Sequence, residues 1–172
     1  MKLLQKLIKA TVNSGSNSHC KFLRQIPVSV DITQSIEVWK QFDTYKIGTT
    51  TNSQSTMHRL AHTPITIDRF DFSHCDPQMR ELVKDHWEVL LDFLEHLRLK
   101  FVETKDRRYW DELLRLLPES WLQTRHWTGN YQVLRTAYFD RRNHKLPDWS
   151  EDFVGFIEQL PYAKELIMYE GD

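Results

Sequence analysis

The chain has 172 residues, 40% of them apolar and 12% aromatic, with 23 Lys and Arg against 24 Asp and Glu for a net charge of -1 at pH 7. That length and stock of bulky side chains can fill a buried core, which excludes a disordered chain and leads us to expect one domain over residues 1–172. The charge balance speaks against a dedicated nucleic-acid binder or a membrane-surface protein, and two Cys are too few for a disulfide framework, which points to the cytoplasm.

In the opening stretch, Lys6 and Lys9 cut the apolar residues into pairs, leaving neither a signal-sequence core nor a membrane span of about 20 apolar residues. Leu7 to Val12 reads as a short strand, and Ser14-Gly15-Ser16-Asn17-Ser18 as a turn. Phe22 to Asp31 alternates apolar and polar residues, a strand that Pro27 assigns to an edge or a bulge. Thr33 can cap a short helix that carries Ile36 and Trp39 and ends near Phe42. Gly48 to Thr56 is a polar loop rich in hydroxyl groups, which can hold phosphate or ribose oxygens but equally make ordinary surface loops. Pro64 to Phe72 holds a brief alternation that suits a second strand.

Asp76-Pro77 opens a helix, and Met79, Leu82, Val83, Trp87, Leu90, Leu94 and Leu97 continue it at helical spacing for about 25 residues. A second helix runs from Arg107 to Leu117 and stops at Pro118. Thr128 to Lys145 reads as a third, with Asn130, Leu134, Ala137, Arg141 and His144 on one face. Polar groups at both ends of an otherwise apolar face suit the wall of a polar pocket; alternatively, Asn130 caps the helix and Arg141 and His144 meet its macrodipole. Pro147 to Leu160 makes a last helix before Pro161.

No metal site is expected. His58 and His62, His19-Cys20 and His74-Cys75 all lack the spacing of a strong ligand motif. No Gly-rich phosphate loop or nucleophile elbow is present, and Ser53 and Ser55 have no local partner to activate them. What remains is the hydroxyl loop with Asn52, Ser53 and Ser55, the cations Lys46, Arg115 and Arg141, and the aromatics Trp121, Trp127 and Tyr138. Arg can clamp a phosphate or stack on a base, and aromatic faces can hold a flat ring, so the set suits a nucleotide. The alternative is that the Trp residues are core and the Arg residues lie on solvated helix faces.

These residues resemble the flavin-dependent thymidylate synthases. Lys40-Gln41-Phe42 is similar to that family's Arg-Gln-Trp helix end, Thr44-Tyr45-Lys46 stands where Arg-His-Arg would, and Ser55 follows after eight intervening residues. In the second half, Leu116-Leu117-Pro118, Trp127-Thr128-Gly129-Asn130, and Arg141 eleven residues beyond Asn130 match the family's spacing. The resemblance implies an α/β (α+β) fold, an antiparallel or mixed sheet packed against long helices, assembled as a homotetramer with nucleotide sites between subunits. It further implies FAD as cofactor, hydride from NADPH, carbon from methylene-tetrahydrofolate, and dUMP as the methylated substrate. Carried over, Gln41, Lys46, Ser53, Ser55, Arg115 and Arg141 would face the nucleotide, and Asn52, Asn130 and His144 the flavin. Arg141 would polarise the pyrimidine, a catalytic role only if the chain is an enzyme.

The departures weigh against turnover. Thr44 and Tyr45 replace Arg and His, Met57 replaces a phosphate-binding Arg, and Lys46 keeps charge without the bidentate fork. Each lost charge-assisted contact is worth about 1.5–3 kcal/mol. The leading expectation is therefore a non-catalytic nucleotide-binding protein of this fold, such as a phage protein that sequesters a nucleotide ligand or signal. The alternatives are an active flavin-dependent enzyme methylating dUMP or a related pyrimidine, and a structural or protein-binding homo-oligomer. Membrane and nucleic-acid partners are not expected.

Overall fold

Leu4, Leu7, Ile8, Thr11 and Val12 recur at helical spacing, and in the computed structural model they line the inner face of helix α1, Lys2–Ser14. The strand expected at Leu7 to Val12 is thus replaced by a helix, in which the buried Thr11 donates its hydroxyl to the Leu7 carbonyl one turn back, at 3.0 Å. The structure describes residues 2–14, 17–53 and 60–171. Asn17–Gln25 is a 3₁₀ segment; Cys20 and Leu23, three apart, are both buried, the spacing that a three-residue turn requires. The strand therefore begins later than the alternation from Phe22 suggests: β1 is Pro27–Ser35.

Helix α2, Ile36–Phe42, follows at once. Its cap is Ser35, whose Oγ accepts the Val38 N–H at 3.3 Å, whereas Thr33 lies inside β1. Strand β2, Thr50–Ser53, is exposed throughout. The strand expected within Pro64 to Phe72 reduces to a 3₁₀ turn, Ile67–Arg69, and one antiparallel bridge from Phe70 to Trp121. Asp76 caps helix α3, Pro77–Leu82, through Gln78 N and Met79 N. One long helix was expected here, yet Val83 (φ -95°, ψ 1°) separates α3 from α4, Lys84–Thr104. A β-branched residue in the bridge region marks the break. Helix α5, Arg107–Leu116, starts at the Asp106 cap.

Strand β3, Leu122–Asn130, runs into helix α6, Tyr131–Arg141. The helix expected over Thr128 to Lys145 therefore starts three residues later, because Thr128 to Asn130 belong to the sheet. A π-helical turn, Asp148–Phe153, leads into α7, Val154–Glu158, and α8, Ala163–Leu166, ends the elements. The sheet is antiparallel with order β1-β3-β2. Its register is fixed by facing pairs: Ser29 bonds Thr128, Asp31 bonds His126 and Thr33 bonds Thr124. Gly129 is needed beside this ladder, because a Cβ there would fall 2.2 Å from the Trp127 indole.

Contacts gather the chain into two units. The first takes in the described residues of 1–31, 43–51 and 126–172. Its core joins Ile8 and Leu23 to Trp127, Leu134, Trp149, Ile157 and Ile167, each no more than 2% exposed. The second comprises the described residues of 32–42 and 52–125. There Leu60, Leu94, Trp110, Leu113 and Trp121 form the core, with Phe70 and Phe72 both packed on Trp87. No helix of the described residues is long and apolar enough to cross a membrane.

Candidate functional site

Helix α6 carries a polar group at each end, and the two ends do different things. At the start, Asn130 Oδ1 accepts the N–H groups of Gln132 and Val133 at 3.1 and 3.2 Å, satisfying two donors that the helix cannot. Its Nδ2 donates to the Gly48 carbonyl at 3.4 Å. Gly48 sits at φ +75°, and a Cβ there would lie 3.1 Å from Asn130 Nδ2, so conformation and space both call for glycine. The turn is closed by Thr49, which donates its N–H to the Lys46 carbonyl and its hydroxyl to the Tyr45 carbonyl at 3.1 Å. Thr49 thus serves its own loop.

At the C-terminal end, the half-buried Arg141 lies between two rings. Its guanidinium carbon is 4.7 Å from the centroid of the buried Trp149 indole and 5.8 Å from that of Tyr45. Arg141 Nε donates to the Tyr45 hydroxyl at 3.0 Å, and that hydroxyl donates onward to Asp140 Oδ2 at 3.3 Å. Burial pushes the Tyr45 phenol up, against the lowering pull of the Arg141 hydrogen bond and charge, so the phenol stays protonated near neutrality. The Trp149 ring also meets His144 edge-on, centroids 6.4 Å apart. Leu146 N–H donates to His144 Nδ1 at 3.2 Å, which leaves Nε2 to carry the proton of the neutral ring. The result is a cation, two aromatic faces and an imidazole gathered at one helix end, a set able to hold a planar ring or an anionic group.

Of the residues singled out in the sequence, Arg141 and His144 share this cluster. Asn130 stands at the other end of α6, ~16 Å away at 1.5 Å per residue. His144 is not on the helix face, since α6 ends at Arg141 and the His144 N–H bonds back to the Arg141 carbonyl. Lys46 is exposed in the same unit. In the other unit, Gln41 lies on α2, Asn52 and Ser53 on exposed β2, and Arg115 in the last turn of α5, where it is 3.8 Å from Glu112 and largely exposed. Ser55, Met57 and His58 lie outside the described residues.

The aromatics need correction. Trp121, Trp127 and Tyr138 are core residues, and the Arg142 guanidinium lies over the Tyr138 ring. The rings against Arg141 are Tyr45 and Trp149, which sequence reasoning missed. Trp149 belongs to the π-helical turn just after Pro147, and an aromatic beside a helix start was the available signal.

No protein-family model and no curated protein matches the chain. Two crystal structures of the thymidylate synthase ThyX from Helicobacter pylori, each with FAD and dUMP, are similar to it. One gives a TM-score of 0.63 at 16% identity, covering 95% of this chain and 80% of that one. The other gives 0.56 at 14% identity, covering 95% and 91%. The fold is ThyX-like. At these identities the likeness concerns the fold, a mixed α/β arrangement with a small antiparallel sheet.

Proposed function

We propose that this chain is a distant relative of flavin-dependent thymidylate synthase that binds a nucleotide-type ligand without catalysing the methylation. The observation that carries this reading is the setting of Arg141: a guanidinium held against the Trp149 indole, with His144 on the same ring, in a fold whose similar structures hold FAD and dUMP. A planar base or a phosphate is the ligand chemistry that such a cluster recognises. Sequestration rather than turnover is supported by Tyr45, a phenol that stands where the synthase motif has His and already accepts from Arg141. Gln41, Lys46, Ser53, Ser55 and Arg115 are assigned to the nucleotide and Asn52, Asn130 and His144 to a flavin, on the resemblance alone.

A homotetramer with intersubunit sites is part of the proposal. Its support is an exposed seam on α4, where His86, Val89, Phe93 and His96 recur at three- and four-residue spacing, Val89 70% and Phe93 48% exposed. The second reading, an active enzyme using FAD and dUMP, is favoured by the ligands of the two ThyX structures. Mass spectrometry of ligands released by heat, with a thermal-shift panel of nucleotides, FAD and dUMP, tests the binding claim. A copurifying nucleotide or a saturable shift is expected; neither appearing would remove it. Oxidation of NADPH that depends on dUMP would replace the non-catalytic reading with the second one.

A further inference from the structure

Within the first unit, the pairing of β1 with β3 sets Ser29, Asp31, His126 and Thr128 on one face of the ladder. Ser29 Oγ is 2.9 Å from His126 Nε2 and 3.0 Å from Thr128 Oγ1, and His126 Nδ1 is 2.6 Å from Asp31 Oδ1. The direction of each proton follows from what the groups can do. An ionised carboxylate only accepts, so His126 Nδ1 carries hydrogen. In the neutral imidazole Nε2 then offers a lone pair alone, and the Ser29 hydroxyl must be its donor. With that proton committed, the Thr128 hydroxyl donates to Ser29 Oγ. Nucleophile, base and orienting carboxylate therefore stand in hydrogen-bond reach and in the order that hydroxyl activation requires.

The strand register alone produces this arrangement. Asp31 faces His126 across the ladder, and Ser29, two residues away, falls on the same face. The face is open, with the His126 side chain 55% and that of Asp31 72% exposed. A substrate here is selected by reach rather than by an enclosing cavity.

We infer that Ser29 is a nucleophile for acyl transfer from small, unhindered esters, with His126 as general base and Asp31 as its positioning residue. Ser29 Oγ forms a bond to the acyl carbon while His126 Nε2 takes the hydroxyl proton; the ester C–O bond breaks, and that proton leaves on the departing alcohol. Water then attacks the acyl-serine, giving one proton to Nε2, and the carboxylic acid departs as Ser29 Oγ recovers it. The inference is independent of the nucleotide reading.

The test uses diisopropyl fluorophosphate on the full chain, where Ser29 Oγ would bond phosphorus, fluoride would leave and His126 would accept the proton. Peptide mapping by mass spectrometry is expected to place one adduct on Ser29. His126→Gln should slow labelling about a hundredfold, and Asp31→Asn should slow it and shift the pH profile, while Thr33→Val, further along the ladder, leaves it unchanged. Turnover of p-nitrophenyl acetate should follow the same order. Absence of a Ser29 adduct, or an equal rate in His126→Gln, overturns the inference. If His126→Gln does not fold, a labelling rate in Asp31→Asn equal to that of the unsubstituted protein overturns it instead.

Discussion

Two half-buried or buried arginines, one in each unit, show different kinds of contact. In the second unit Arg98, 8% exposed, grips Glu95 with both arms of its fork, Nε to Oε2 at 2.8 Å and Nη2 to Oε1 at 2.5 Å, and donates Nη1 to the Ala61 carbonyl. Glu95 also accepts the Ile65 N–H at 2.9 Å. Burial acts to raise the Glu95 carboxyl, but the Arg98 hydrogen bond, the Ile65 N–H and the Arg98 charge outweigh it and hold it below the usual carboxylate range. In the first unit Arg141 is held by ring faces and a phenol. A fork on its own carboxylate ties a loop to a helix and does structural work. A guanidinium carbon 4.7 Å from an indole centroid is a setting that also suits a planar ligand.

The largest effect should come from breaking the structural arginine. Glu95→Ala leaves a buried guanidinium without its counter-ion and should cost about 3–5 kcal/mol by chemical denaturation, with nucleotide affinity of the folded protein unchanged. The pH dependence has a definite sign. Because the folded Glu95 pKa is lowered, its contribution is fully present above the unfolded value of about 4.3 and is lost as pH falls through the folded pKa. Glu95→Gln should flatten that acid limb, and a limb as steep as in the unsubstituted protein would show that the pair is not responsible.

Next in size is Gly129→Ala. A methyl placed 2.2 Å from the Trp127 ring forces the buried indole to move, at about 1–3 kcal/mol; a thermal melt that does not shift would contradict this packing. Smaller still is Asn130→Ala, at about 1 kcal/mol for the lost cap. Asn130→Asp keeps the capping oxygen but loses the Nδ2 donor to the Gly48 carbonyl, so it should retain the cap while costing about 0.5–1.5 kcal/mol at that contact.

The parts of the fold governed by local chemistry were legible in the sequence. Asp76-Pro77 announces α3 and Pro118 ends α5, while for Asn130 it is the alternative reading, a helix cap, that the structure shows. What was not legible depends on partners far along the chain. β3 went unrecognised because Thr124, His126 and Thr128 become a strand face only opposite Thr33, Asp31 and Ser29. The break at Val83 is invisible to a periodicity that passes smoothly from Leu82 to Trp87. Arg141 could be singled out from its spacing, but its ring partners could not: Tyr45 is 96 residues away, and Trp121 and Trp127, considered as faces for a flat ring, are core.

The central claim is that the Arg141 end of α6 holds a nucleotide. Titration calorimetry of Arg141→Ala with whichever nucleotide copurifies or gives a saturable shift tests it most directly. Loss of one charge-assisted contact of about 1.5–3 kcal/mol predicts a fall in affinity of roughly ten- to hundredfold, with oligomer mass unchanged by light scattering. An affinity equal to that of the unsubstituted protein would contradict the account and remove Arg141 from the site.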